Sequence, residues 1–324
     1  EERIMKNKLW TEEEKRFLKN NFSNMTNAEL SEKMNRTKSA IQTELSKLGL
    51  KRPDKYFYNK NFFEKIDTEE KAYWFGFICA DGYVVLGDTN AEVGIELTWR
   101  DSLHLKKFNK SLQGNIPVTK RKERKNARIP SKDGIASFRI YSVKMVNDLI
   151  KLGCIQRKSF SLEFPTIPDK FFFSFVRGYF DGNGSVISNN QTNTFRFSFS
   201  TGSLKMAQGL VEELKKHNIL SYYCVEKERK DSRLKSQINK ETYKVYIVGL
   251  RNSLTFFLRL YKDASVYLER KLDKAISLIE SRNLIQRCKK IRENSDCLSI
   301  WQQIVTNRER NGEAETPIRM EGCV

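Results

Sequence analysis

Between residues 67 and 283 the apolar positions switch between helical and strand-like spacing, and they do so twice in the same order. The first pass opens on Trp74-Phe75-Gly76-Phe77-Ile78-Cys79-Ala80-Asp81-Gly82. It continues with a strand-like run from Glu92 to Trp99, a helix from about Ser102 to Leu112, a basic stretch from Lys120, a strand from Ile135 to Tyr141 and a helix from Val143 to Leu152. The second pass opens on Val176-Arg177-Gly178-Tyr179-Phe180-Asp181-Gly182-Asn183-Gly184. A strand from Asn193 to Ser200, a helix from Ser203 to Lys216, a basic stretch from Lys227, a strand from Thr242 to Val248 and a helix from Arg251 to Tyr261 follow it. Each pass closes on a matching tetrad, Ile155-Gln156-Arg157-Lys158 and Leu268-Glu269-Arg270-Lys271. The expected order is helix, two strands, helix, two strands, helix, given twice. This is an α+β fold with an internal repeat.

Within each opening helix two small residues stand four apart, Gly76 with Ala80 and Gly178 with Gly182. That spacing places them on one face, where two helix backbones can approach closely. The polar residue that follows, Asp81 or Asn183, then emerges at the bottom of the helix pair, and the glycine after it suits a left-handed C-cap. Two such ends meeting form one polar, metal-sized pocket. The strands sort their faces by alternation: Phe195, Phe197 and Phe199 oppose Thr194, Arg196, Ser198 and Ser200, and Ala136, Phe138 and Ile140 oppose Ser137, Arg139 and Tyr141. An apolar face under helices and a polar concave face make a groove-reading saddle. Glu92 and Glu96 fall on the polar parity, where they either accept from cytosine amino groups or pair with nearby arginines.

Residues 1–52 have a different rhythm. Thr11 with Glu14 is a capping box, Phe17 and Leu18 supply an apolar face, and a second short helix starts at Thr26. A third opens near Arg36, with Ile41, Leu45 and Leu48 at helical spacing and Gly49 ending it. Three short helices behind a tryptophan resemble a Myb-like helix-turn-helix, whose last helix enters the major groove. The resemblance turns Arg36, Lys38, Ser39, Gln42 and Thr43 toward DNA and lets Lys51 and Arg52 reach phosphates. Residues 53–66 read as a linker anchored by Tyr56, Phe57 and Tyr58, residues 67–167 and 168–283 as the two repeat units, and 284–324 as a tail of unassigned role. In the tail Trp301 and Ile304 suit a docked short helix, while residues 311–315 look disordered.

Charge narrows the partner. The chain of 324 residues carries a formal net charge of +19 with a pI near 9.6, the electrostatic footprint of phosphate binding. Neither an 18-residue apolar run nor an N-terminal signal pattern is present, so a membrane is not expected. The expected setting is cytoplasmic and nucleoid-associated. Six cysteines without a C-x-x-C pair suit thiols in a reducing compartment rather than a zinc site. With only His104 and His217 and neither in suitable company, histidine-based nucleases are excluded. Glu228-Arg229-Lys230 fits half of another nuclease motif, but such triplets arise by chance in a chain with 31% charged residues.

The two opening motifs, with their matching elements, resemble the LAGLIDADG homing endonuclease family in its single-chain, two-motif form, over roughly residues 67 to 283. The resemblance implies two pseudo-twofold-related αββαββα units with a saddle-shaped antiparallel sheet. It implies a monomer that cuts a long, pseudo-asymmetric double-stranded DNA target, with an association to a mobile intron or intein and a group I intron RNA as a further partner. In the family, one acid from each helix and the carbonyl before it hold divalent metal between two scissile phosphates. By position these are Asp81 with Ala80 O and Asn183 with Gly182 O, most naturally holding Mg²⁺, with Mn²⁺ or Ca²⁺ substituting in binding. Lys158 and Lys271 match the place of a charge-stabilising basic residue, although a lysine there equally caps a helix dipole. The basic loops add Lys120, Arg121, Lys122, Arg124, Lys125 and Arg128 in one unit and Lys227, Arg229, Lys230, Arg233 and Lys235 in the other as backbone contacts. Arg100, Arg139, Arg196 and Lys244 complete the DNA-facing set. Asn183 departs from the family's acid, and Asp181, on another face, cannot replace it. Four readings stay open: an endonuclease tolerating Asn, a strand-biased nicking enzyme, a form inactivated to trap DNA, and a cleavage-deficient transcription factor or RNA maturase.

Overall fold

In a computed structural model the described residues are 9–51, 56–88, 90–122, 133–189, 191, 194–227, 229–230, 238–239 and 241–314. They divide into two units, residues 1–57 and 58–324.

The smaller unit is three helices, α1 (Glu12–Asn21), α2 (Asn27–Lys33) and α3 (Lys38–Lys47). Thr11 and Thr26 cap α1 and α2 with complete capping boxes to Glu14 and Glu29, and Thr37 caps α3. Each cap answers amide groups that helix starts leave without intrahelical partners. Gly49, at φ +67°, ends the third helix as expected. Leu18, Leu30, Ile41 and Leu45 form a core too small to bury much else. Arg36 is drawn into it: the guanidinium lies 4.5 Å over the Trp10 ring, pairs with Glu14 at 2.9 Å and donates to Leu9 O. Only 6% of Arg36 is exposed, which corrects its expected place on the DNA-facing surface.

The larger unit contains the repeat. The first half is α4 (Glu69–Asp81), β1 (Gly82–Leu86), β2 (Ala91–Thr98), α5 (Ser102–Ser111), β3 (Thr119–Arg121), β4 (Ile135–Tyr141) and α6 (Val143–Lys151). The second is α7 (Phe172–Asn183), β5 (Gly184–Asn189), β6 (Thr194–Thr201), α8 (Leu204–Lys216), β7 (Ser221–Glu226), a short ribbon of β8 (Arg229–Lys230) and β9 (Ile238–Asn239), β10 (Thr242–Ile247) and α9 (Gly249–Tyr261). Ribbon apart, each half is αββαββα, with an antiparallel four-stranded sheet in the order β1-β2-β4-β3 or β5-β6-β10-β7. Phe195, Phe197 and Phe199, and Ala136, Phe138 and Ile140, are buried as their alternation requires. The intervening polar residues are less open than alternation implies, since Ser137 and Ser198 are buried too.

Two boundaries move. Residues 58–66 belong to the larger unit, where Phe62 and Phe63 are buried, while Tyr56 and Phe57 stay exposed. Of the three expected anchors Tyr58 holds, donating to Tyr141 O at 2.9 Å and packing against the core, and Phe62 and Phe63 add to it. After α10 (Glu269–Ser281), α11 (Leu284–Arg287) and α12 (Lys289–Arg292), the tail forms α13 (Ser295–Ala314). Ile304 is buried and Trp301 lies 6.0 Å from Phe257. This helix is longer than expected and includes residues 311–314; residue 315 lies outside the described residues. No helix among the described residues is long and apolar enough to cross a membrane.

Candidate active site at the paired helix ends

Helices α4 and α7 meet along a seam of small residues. A Cβ placed on Gly76 would lie 3.0 Å from Tyr179 N and closer still to Phe175 O; one placed on Gly178 would lie 2.8 Å from Phe77 N and closer still to Tyr73 O. These are one relation with the halves exchanged, Gly76 corresponding to Gly178, Tyr73 to Phe175 and Phe77 to Tyr179, so the seam carries a local pseudo-twofold. At its lower end a Cβ on Gly182 would stand 3.3 Å from Asp81 Cγ and against Ala80. The seam thus sets Asp81 beside Gly182 and Asn183, the meeting expected from the motifs.

The closing glycines work differently from expectation. Gly82 (φ −79°, ψ 170°) and Gly184 (φ −89°, ψ 162°) are extended, not left-handed. Each begins a strand directly, and close approach excludes a side chain: a Cβ would lie 2.8 Å from Ile78 Cα in one case and, in the other, 2.5 Å from Phe180 O and closer still to its ring. Helix and sheet share a corner, which fixes where the polar side chains emerge.

Two buried lysines from the closing tetrads bind that corner in corresponding ways. Lys158 Nζ donates to Gly82 O at 2.6 Å, and Lys271 Nζ donates to Gly184 O at 2.8 Å. Lys271 also donates to Phe180 O at 2.6 Å and Gly182 O at 3.2 Å. An ammonium has three N–H groups, and here three carbonyls at the negative end of a helix take them. Of the two readings of Lys271, its bonds support the cap on the helix dipole, and Gly182 O, expected to face a metal, accepts one of them. Burial lowers the Lys271 pKa to about 8.

Asp81 is exposed, yet enough protein surrounds it that desolvation raises its carboxyl pKa against the lowering pull of Lys271, Lys158 and Arg270. Asn183 is half-buried beside a cavity of about 240 Å³ that Lys158, Tyr179 and Thr201 also line. Its side chain and Thr201 hydrogen-bond the Tyr179 hydroxyl, whose pKa burial nevertheless pushes up to about 12. Asp181 points elsewhere, as expected: its Oδ2 accepts from Tyr73 Oη at 2.7 Å and Leu268 N at 2.8 Å inside the core. The Tyr73 hydroxyl also meets His104 Nε2 at 2.9 Å. Burial raises Asp181 to about 6 and lowers His104 to about 3. No cluster of three or more His, Cys, Asp or Glu suited to a metal occurs among the described residues.

Of the other DNA-facing candidates, Lys38, Gln42, Lys51, Arg100, Lys120, Lys122 and Lys227 are exposed. Lys120 lies 4.8 Å over the Trp99 ring, and Gln42 accepts from Asn27. Arg121 and Arg139 reach Glu96 at 2.5 and 3.0 Å, and Arg139 also lies 3.5 Å from Glu92, whose carboxylate Tyr83 Oη engages. This settles the two glutamates in favour of pairing with arginine. Arg196 stacks 4.3 Å over Tyr246, and Lys244 lies 3.8 Å from Glu226. Arg52, Arg124, Lys125, Arg128, Arg233 and Lys235 lie outside the described residues, as do the side chains of Arg229 and Lys230. Sequence reasoning missed Tyr73, Tyr83, Tyr179 and Thr201, whose only signal was a polar atom on an otherwise apolar parity.

Fold and site together define a protein with two αββαββα halves joined by a glycine seam that brings two helix C-termini together. Residues 171–261, in the second half, match the LAGLIDADG-like domain family model, and the first half has the same element order. Among solved structures, I-DmoI in complex with DNA and Ca is 13% identical, over 68% of this chain and 99% of its own, with a TM-score of 0.41. The I-SmaMI LAGLIDADG homing endonuclease bound to cleaved DNA is 13% identical, over 72% of this chain and 94% of its own, with a TM-score of 0.40. The I-LtrWI LAGLIDADG homing endonuclease bound to target DNA is 10% identical, over 73% of this chain and 97% of its own, with a TM-score of 0.43. No curated protein matches the chain.

Proposed function

We propose that this chain is a site-specific endonuclease of double-stranded DNA, working as a monomer with a divalent metal ion, most naturally Mg²⁺. The observation that supports this best is Asp81: an exposed carboxylate at the end of a helix pair, where two antiparallel sheets begin. The LAGLIDADG-like match over residues 171–261 gives the second half the same reading.

The first half-site fits a hard cation. One carboxylate with the adjoining Ala80 carbonyl, completed by waters and phosphate oxygens, is the partial set Mg²⁺ takes in phosphate chemistry. A divalent ion there supplies positive charge that stabilises the phosphoryl transition state and eases deprotonation of the attacking water. Asp81 would hold the cation against the scissile phosphate. Lys158, buried between Gly82 O and the cavity beside Asn183, adds positive charge on the same side. Exposed Lys120, Lys122, Lys227 and Arg100 would contact the backbone, and Lys38, Gln42 and Lys51 would extend the footprint through the Myb-like unit. An intron RNA partner has no support in the site.

A cleavage-deficient DNA-binding relative is the second reading, favoured by neutral Asn183. Incubation of the chain with Mg²⁺ and a plasmid library, with breaks mapped on each strand, separates the two. Recurrent breaks at one long, non-palindromic sequence support the nuclease; specific retention of that DNA without breaks under Mg²⁺ or Mn²⁺ supports the binder.

A further inference from the structure

The two helix ends are not equivalent, and the difference lies in what already occupies them. At α7 the carbonyls of Phe180, Gly182 and Gly184 converge on Lys271 Nζ at 2.6, 3.2 and 2.8 Å. Lys271 is 8% exposed, so its ammonium is part of the packed corner rather than a mobile surface charge. The side chain that could offset a second cation is Asn183, a neutral amide hydrogen-bonded to the Tyr179 hydroxyl. The neighbouring carboxylate, Asp181, is 1% exposed and turned toward Tyr73 and Leu268. At α4 the corresponding lysine, Lys158, donates to Gly82 O. No bond from it to Ala80 O is present among the described residues, and Asp81 is exposed. The second half-site therefore does not fit a divalent ion: its side chain is uncharged, and a buried ammonium stands 3.2 Å from its carbonyl, where it would repel a second cation.

We propose that the Lys271 ammonium stands where a second cation would sit. The chain then loads one divalent ion, at Asp81, and cuts one strand of its target. This rests on the endonuclease reading and deepens it to a nicking activity. In the step itself, water oxygen forms a new P–O bond on the strand facing Asp81 and gives up a proton, the bond from phosphorus to the leaving deoxyribose oxygen breaks, and that oxygen ends protonated as a hydroxyl. The strand facing Asn183 is gripped but not hydrolysed. Lys271 acts here as a positioning residue, since it touches backbone and not the reacting phosphate.

The test counts metal and strands separately. Titration of the chain bound to its mapped target DNA with Mn²⁺, with free ion followed by electron paramagnetic resonance and the DNA alone as blank, is expected to show one protein-dependent ion per chain, lost in Asp81→Asn. Two ions, or none, overturn the proposal. Asn183→Asp alone is expected to leave the count at one, because Lys271 still holds Gly182 O; a second ion in that variant means that Lys271 is not the obstacle and also overturns it. Asn183→Asp with Lys271→Met is expected to admit the second ion. Should the double variant unfold, the Asn183→Asp count and the wild-type strand map decide. At the mapped site, breaks on one strand are expected to exceed those on the other by at least tenfold. Equal breaks on both strands sink the nicking inference and leave the endonuclease intact, whereas specific DNA binding without breaks on either strand sinks the endonuclease reading.

Discussion

Replacing Gly178 with alanine is expected to loosen the helix pair on which the site is built. In an isolated helix the change would help, by about 1 kcal/mol of propensity. Here the new methyl carbon would lie 2.8 Å from Phe77 N and closer still to Tyr73 O. Both are backbone atoms of α4 and cannot rotate aside, so the helices must separate toward ordinary van der Waals contact. Overpacking of cores typically costs about 1–3 kcal/mol, and backbone against backbone belongs at or above the top of that range. The net loss is then at least about 2 kcal/mol, or about 4–8 °C in Tm at the scale for domains of 150–250 residues. Gly87→Ala is the control: its methyl would meet only the exposed Asn90 chain, 2.7 Å from Oδ1, which can swing away, so a change within about 0.5 kcal/mol is expected. Urea unfolding of both variants measures the difference. Equal stabilities would refute the close-packed seam, and with it the placement of Asp81 beside Gly182.

The remaining expectations concern other links. Arg36→Met should destabilise the N-terminal unit by about 1–3 kcal/mol, since the bonds from the guanidinium to Glu14 and Leu9 O are lost; Trp10 fluorescence reports it, while Lys38→Ala should weaken DNA binding with that fluorescence unchanged. His104, held to about 3 against an ordinary 6.5, stays neutral in the folded chain, so stability should fall as pH drops through 6.5, by up to about 1.4 kcal/mol per pH unit. Asp181, raised to about 6 from 3.8, has the opposite sign: its contribution is full below 3.8 and is lost as pH rises through 6. His104→Phe and Asp181→Asn should each remove one of those slopes in unfolding measured from pH 4 to 7. If about 6 to 10 phosphates are contacted, affinity should fall on the order of 10³- to 10⁵-fold between roughly 50 and 200 mM salt, and a flat salt profile would count against the basic surface.

The repeat was legible because each element carried its own period: 135–141 falls on a strand with the expected bounds, and the helix and strand ends elsewhere move by a residue or two. The seam was legible from Gly76, Ala80, Gly178 and Gly182, because only small residues permit that approach. The conformations of Gly82 and Gly184 were not, since what excludes a Cβ there is the neighbouring Ile78 backbone or Phe180 ring rather than φ. Arg36 was misread, and for Lys271 only one of its two readings, the cap on a helix dipole, matches its bonds; both were first read toward DNA for a shared reason. A basic residue in a basic chain suggests phosphate, and only three dimensions show Trp10 and Glu14 around one and three carbonyls around the other. The buried link from Asp181 through Tyr73 to His104 joins both halves across the seam, and no local pattern announces such a contact.

The central claim, that Asp81 is the acid of a metal-dependent nuclease, is tested most directly by single-turnover cleavage of the mapped site with saturating wild-type or Asp81→Asn protein in Mg²⁺, with DNA affinity measured alongside. The account predicts that Asp81→Asn binds as wild type does and cuts at least tenfold more slowly, about 1.4 kcal/mol or more of transition-state stabilisation. Unchanged cleavage by Asp81→Asn would contradict it.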